Sequence, residues 1–170
     1  TREALCGTCG QAHGVCDGHF GCIELPFPLV HPLHARVAGL IARSTCSGCG
    51  RRQQCSCEKR EGPSDACSLL LAARPEEWHD ALPSCSPADL VMTALPVPPL
   101  VLRPHNDQYA NALTSHLAAI LRSIARYHRV RSNKGTAAAL QSARQNVARR
   151  VNDYFHAPSD SRSPGLCVRL

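Results

Sequence analysis

Four residues near the start of the chain have the chemistry and spacing of a metal site. Cys6-x-x-Cys9 is followed after six residues by Cys16, and His19 comes three positions later. Three thiols and an imidazole within fourteen residues make two short chelate loops joined by a turn, which is the ligand set of a tetrahedral structural zinc ion. Gly7 and Gly10 flank the pair, where a knuckle turns its backbone N–H groups toward the thiolates. The histidine and the compact spacing favour zinc over a disulfide-bonded loop. A four-ligand set is also closed, whereas a hydrolytic zinc needs an open position and a general base.

A second pair, Cys46-Ser-Gly-Cys49-Gly, has the same form but supplies half a site. Its partners lie among Cys55, Cys57, Cys67 and Cys85. Cys55 and Cys57 are nearest, but both on one ion would be a tight bite, and Cys67 can swing back across the loop Glu61–Asp65. The expected second set is therefore Cys46, Cys49, Cys57 and Cys67. Cys22 and Cys167 are expected to be bystanders.

Short elements must position these residues. Gly21 to Leu25 reads as a strand stopped by Pro26 and Pro28. His31-Pro32 opens a helix whose apolar stripe is Leu33, Val37, Leu40 and Ile41. Residues 50–67 read as a loop, Cys67–Arg74 as a brief apolar run, and Pro75-Glu-Glu-Trp78 as a short helix with Trp78 partly buried. Leu90 to Leu95 makes a strand that leaves through Pro96, Pro98 and Pro99. Two helices follow. The first is capped by Asn106 or Asp107 and buries Leu113, Leu117, Ile120, Leu121 and Ile124. The second starts at Gly135-Thr136 and buries Leu140, Val147, Val151 and Tyr154-Phe155. They pack as an antiparallel hairpin turning near 129–135. The expected class is α+β: a small, irregular, zinc-stapled lobe with short strands and an antiparallel helix pair. The expected divisions are a zinc-binding region 1–104, a helical hairpin 105–156 and a disordered tail 157–170.

The 170 residues hold eleven cysteines, ten of them before residue 86. That odd number and clustering do not suit a disulfide framework, and the pattern implies a reducing compartment. No apolar run approaches the length of a membrane span and the first residues do not form a signal peptide. The first residue is not methionine, which suggests a segment of something longer. Net charge is +6, unevenly spread. Residues 1–102 carry 8 Lys+Arg against 10 Asp+Glu, or −2; residues 103–156 carry 9 against 2, or +7; the tail adds +1. A helical segment this basic suits a polyanionic neighbour, nucleic acid above all, and Arg144, Arg149 and Arg150 are its candidate contacts.

Three stretches carry a resemblance. Cys-x2-Cys-x6-Cys-x-Gly-His-Phe-Gly, then Ile23-Glu-Leu-Pro26 and Val30-His31-Pro32, resembles the start of the clamp in the largest subunit of multisubunit DNA-directed RNA polymerases. Asp17 stands where RNA polymerase II members usually carry proline; an acidic residue there is closer to the plant silencing polymerases. Leu95-Pro-Val-Pro-Pro99 with Arg103-Pro104 is similar to the family's link from clamp head to clamp core. Leu113-Thr-Ser-His-Leu117-Ala-Ala-Ile-Leu121 and Tyr154-Phe155 are similar to its helix pair. The resemblance covers residues 4–156.

It implies a part of a transcribing nucleotidyltransferase, clamping DNA and the RNA–DNA hybrid. It also implies one or two structural zinc ions, other polymerase subunits as partners, and the nucleus (or a viral factory or virion) as location. In the family the second pair of zinc ligands lies far downstream, across a clamp-head insertion that is much shorter here. The Asp-x-Asp-x-Asp loop that holds catalytic magnesium in the family does not occur in this sequence, so magnesium belongs to the complete enzyme only and no residue here is catalytic. The other reading is a stand-alone, non-catalytic zinc module derived from such a subunit, binding nucleic acid or a polymerase.

Overall fold

Prolines do not end the first strand. In the computed structural model, which describes residues 5–12, 15–52, 55–57, 62, 65–103 and 111–156, β1 runs Gly21–Val30 through Pro26 and Pro28. It pairs antiparallel with β2, Val91–Val97, which itself contains Pro96. Each strand of a two-stranded sheet has one partner, so N–H groups on its outer edge join no ladder. A proline on that edge forfeits no hydrogen bond. Both strands therefore outlast the proline stops expected from the sequence.

The described residues pack as two units, 1–24 with 94–170, and 25–93. In the second unit a turn, Pro32–His34, leads into α1, Ala35–Ser44. The helix buries Ala38, Ile41 and Ala42, while Leu33, Val37 and Leu40 are 50%, 41% and 54% exposed. The expected stripe thus faces outward except for Ile41. The inward face is set by close approach to α2, Ala66–Ala72, which favours alanine at the contact. Asp65 caps α2: its carboxylate accepts from the Ser68 N–H at 3.0 Å and the Ser68 hydroxyl at 2.6 Å. A turn at Pro75–Glu77 follows, and Ser86 and Asp89 close a capping box on the turn Pro87–Leu90. Ala38, Ile41, Leu70, Ala73, Trp78 and Leu90 form the core, with Val30, Leu82 and Val91 at its margin. Trp78 is 5% exposed, more deeply buried than expected.

The first unit contains α3, Ala112–Ser132, and α4, Ala137–His156, which pack on each other. Asn111 caps α3 by accepting from the Leu113 N–H at 2.9 Å; Asn106 and Asp107 lie outside the described residues. Leu117, Ile120, Ile124 and Tyr127 of α3 are buried, as are Ala143, Val147 and Val151 of α4. Leu121 is exposed. Buried Ser123 satisfies its hydroxyl on the Ile120 carbonyl at 2.8 Å. Between the helices Gly135 passes so near Val130 that a β-carbon would lie 2.8 Å from its Cγ1. The expected tail, 157–170, is outside the described residues. No helix among the described residues is long and apolar enough to cross a membrane.

Candidate metal centres

A hairpin turn builds the first group. Leu5 and Ala12 form an antiparallel bridge, the Cys6 N–H donates to the Gln11 carbonyl at 2.8 Å, and the Gly10 N–H donates to the Cys6 carbonyl at 2.8 Å. Gly10 has φ of +71°, a conformation that a β-carbon disfavours. The turn aims backbone donors at sulfur: the Thr8 N–H lies 3.4 Å from Cys6 Sγ, and the Gly18 N–H lies 3.4 Å from Cys16 Sγ. The N–H groups of Cys9 and Thr8 pull the Cys6 thiol down to about 6. At Cys16 the Gly18 N–H also favours the thiolate, but the Cys9 and Cys6 sulfurs and desolvation together leave that thiol raised.

The ligand atoms of Cys6, Cys9, Cys16 and His19 all lie within 4.8 Å of one another. Cys9 Sγ is 3.6 Å from Cys16 Sγ, and Cys16 Sγ is 3.4 Å from His19 Nε2. A tetrahedral ion with bonds of about 2.0 to 2.3 Å needs ligand edges of roughly 3.5 to 3.8 Å. The donor set and its spacing therefore fit such an ion, and the structure brings together all four residues expected from the sequence.

The second group repeats the first forty positions along the chain. Thr45 and Arg52 form the bridge, Cys46 N–H donates to the Arg51 carbonyl at 2.7 Å, and Gly50 N–H donates to the Cys46 carbonyl at 2.9 Å. Gly50 has φ of +74°. The residues gathered are Cys46, Cys49 and Cys55, with ligand atoms within 4.8 Å of one another. This differs from the expected set, because Cys57 and Cys67 do not join the group. Cys57 contributes its N–H to the Cys55 sulfur, and the Cys67 thiol donates to the Pro28 carbonyl at 3.5 Å. Residue 56, forty positions beyond Cys16, is flanked equally by Cys55 and Cys57, so the repeat points to that pair without choosing between them, and the fold gathers Cys55.

The Cys55 thiol, then the N–H groups of Cys49 and Gly48, draw the Cys46 thiol down to about 6. At Cys55 the Cys57 N–H pulls downward, but the thiols of Cys46 and Cys49 outweigh it and push Cys55 up to about 11. In each group the first cysteine is the sulfur whose thiolate form the surroundings favour. Cys22 is exposed and stands outside both groups; Cys167 lies outside the described residues.

The basic candidates lie on α4. Arg144 and Arg149 are exposed, while Arg150 is partly covered, its Nη1 4.0 Å from the Asp153 carboxylate. On α3, Arg122, Arg126 and Arg129 are also exposed.

No family model matches the chain. It is 50% identical over 46 residues to the DNA-directed RNA polymerase subunit Rpo1N of Methanothermobacter thermautotrophicus, covering 27% of this chain and 5% of that protein. It is 46% identical over 46 residues to the Rpo1N subunit of Thermococcus celer, with the same two coverages. Over 48 residues it is 42% identical to the DNA-directed RNA polymerase I subunit rpa1 of Schizosaccharomyces pombe, covering 28% of this chain and 3% of that one. The matched segment is thus a small part of each relative. The likeness reaches archaeal and eukaryotic subunits alike. By motif and by identity, the chain is related to the N-terminal part of the largest subunit of multisubunit DNA-directed RNA polymerases.

Proposed function

We propose that this chain is the N-terminal clamp portion of a DNA-directed RNA polymerase largest subunit, working in transcription in the nucleus or, for a viral protein, in the viral factory or virion. The single observation carrying the reading is the four-residue group Cys6, Cys9, Cys16 and His19 in a chain 50% identical to an Rpo1N subunit over 46 residues. Zinc is the metal that three thiols and an imidazole at tetrahedral spacing suit best. Its role is structural: none of the described residues between 5 and 20 is buried, and an ion held by the chain supplies folding energy directly. Region 105–156 is the helical part, and its arginines face the DNA template, the RNA–DNA hybrid or another polymerase subunit. Nucleotidyl transfer and its magnesium belong to the complete enzyme.

Zinc content and salt dependence test this. Elemental analysis of the purified 170-residue chain is expected to find at least about one zinc per chain, and Cys6→Ser to remove one. Less than that in the wild type sinks the zinc assignment. Weak, sequence-independent binding to duplex or hybrid is expected, with log affinity falling linearly against log salt by roughly 0.9 per phosphate contact on duplex DNA. Reversing Arg144, Arg149 and Arg150 together should flatten that slope. A wild type that does not bind even at low salt assigns those arginines to a neighbouring subunit instead.

A further inference from the structure

We propose that the outer face of α1 is a docking surface for an acidic amphipathic helix of a partner protein. This goes beyond the clamp reading and rests on neither metal centre.

α1 has two apolar faces, and the fold uses one of them. Ala38, Ile41 and Ala42 turn inward, where α1 packs on α2, and are at most 5% exposed. Leu33, Val37 and Leu40 are the larger side chains, yet they turn outward and stay exposed. They follow one another at i, i+4 and i+7, and half-buried Ser44 continues the line. A ridge of this spacing fits the groove of a crossing helix, with apolar side chains of the partner interleaving between its own.

Charge selects among helices. Arg36 and Arg43 are both exposed and lie on one edge of the stripe, seven residues or about 10 Å apart along the axis. Residues 25–57 contain four arginines and no aspartate or glutamate, although residues 1–102 as a whole carry −2. Of those four, Arg52 is paired with Asp80, away from α1. Positive charge therefore borders the stripe within an otherwise acidic part of the chain. A helix with leucine-like side chains at helical spacing and carboxylates along one flank meets both features at once. Nucleic acid would meet the arginines but leave Leu33, Val37 and Leu40 against water. A second copy packed antiparallel would set Arg36 and Arg43 against their own counterparts, which like charge opposes.

A displayed library of helical peptides tests this on the purified 170-residue chain. Each peptide carries leucine at every third or fourth position, with glutamate, glutamine or lysine beside it. Selection should enrich glutamate on one flank and deplete lysine. By fluorescence anisotropy, the best enriched peptide should bind a variant carrying both Arg36→Glu and Arg43→Glu about tenfold more weakly than the wild type. The same peptide with lysine in place of those glutamates should prefer that variant to the wild type, which a merely damaged fold would not produce. Leu40→Ala should weaken binding by a similar factor, and Leu40→Glu should abolish it. Leu121→Glu, at an exposed leucine of α3, should bind as the wild type does.

Each other occupant has its own signature. Enrichment of lysine, or of neither charge, overturns the acidic partner, and no enrichment overturns the docking surface. A wild type that sediments as a dimer, and as a monomer with Leu40→Glu, gives the face to a second copy and overturns the proposal. Wild-type binding to vesicles of anionic phospholipid, lost with Leu40→Glu, gives it to a lipid surface with the same result. If Leu40→Glu does not fold, Leu40→Ala and the charge swap still decide. None of these outcomes alters zinc content, so failure here leaves the clamp reading standing.

Discussion

The two hairpins at residues 5–12 and 45–52 share a backbone and differ in their settings. In the first, the bridge residue Leu5 is exposed and Ala12 only half-buried, and a β-carbon on Gly10 would meet open space. In the second, Thr45 is buried, Arg52 covers Trp78, and a β-carbon on Gly50 would fall 2.1 Å from the Ala72 carbonyl oxygen. The first shows a turn that owes its shape to its own hydrogen bonds and to the ligands it carries. The second shows the same turn used as a packing piece, with α2 and Arg74 pressed against it. A metal knuckle can thus be carried by a domain or built into one.

The sharpest way to break this comparison is to put a methyl group on each glycine. Both substitutions bear the left-handed penalty of about 1–2 kcal/mol. Gly10→Ala should show little beyond that, read as roughly a tenfold weaker hold on zinc in competition with a chelator. Gly50→Ala must also displace a backbone carbonyl, so its total is expected at about 2–5 kcal/mol, read by urea unfolding followed at Trp78. Equal effects at the two positions would dissolve the distinction.

The bed beneath the second hairpin can be probed through α1. Ile41→Ala, at a buried site beside Leu70, should cost about 2–5 kcal/mol, whereas Leu40→Ala on the exposed face should stay within about 0.5 kcal/mol. Thermal unfolding separates them, and the reverse order would mean that α1 presents its other face to the core. The smallest effect is expected from Arg74→Ala. It removes the Nε hydrogen bond to Cys49 but keeps the backbone one to Gly50, for a loss of roughly 1 kcal/mol in the same urea experiment. No loss would leave the backbone contact alone holding the hairpin to α2.

What was legible from residue order was mostly local. Cys6, Cys9, Cys16 and His19 lie within fourteen residues, and chain geometry leaves few ways to place them except together. The helix pair was legible for the same reason, since Leu117, Ile120 and Ile124 repeat at helical spacing and Val147 and Val151 answer them. Cys55 was passed over because a tight Cys-x-Cys bite was set against it, and the forty-residue repeat, which falls midway between Cys55 and Cys57, does not choose between them. The face of α1 was misjudged for a physical reason. Leu33, Val37 and Leu40 are the larger side chains, but Ala38 and Ala42 permit the nearer approach of a neighbour. A stripe of large residues marks where apolar area is available, while the contact is decided by which face can come close. The strand prolines misled similarly, since a proline ends a central strand but not one with a free edge.

The two-stranded sheet has a consequence for the order in which the chain assembles. β1 ends at Val30 and β2 begins at Val91, so their pairing must wait for everything between to be drawn in. Helices α3 and α4 meet across a turn of a few residues and need no such wait. Chains form nearby contacts fast and distant ones slowly, because a long loop must lose its freedom before the pairing that closes it gives anything back. The helix pair should therefore be an early, self-sufficient event and the sheet a late one. The hairpin at 45–52 lies inside the loop that the sheet must close. By gathering α1 and α2 beforehand, it shortens the free chain that remains, and whatever hastens that hairpin should hasten the sheet.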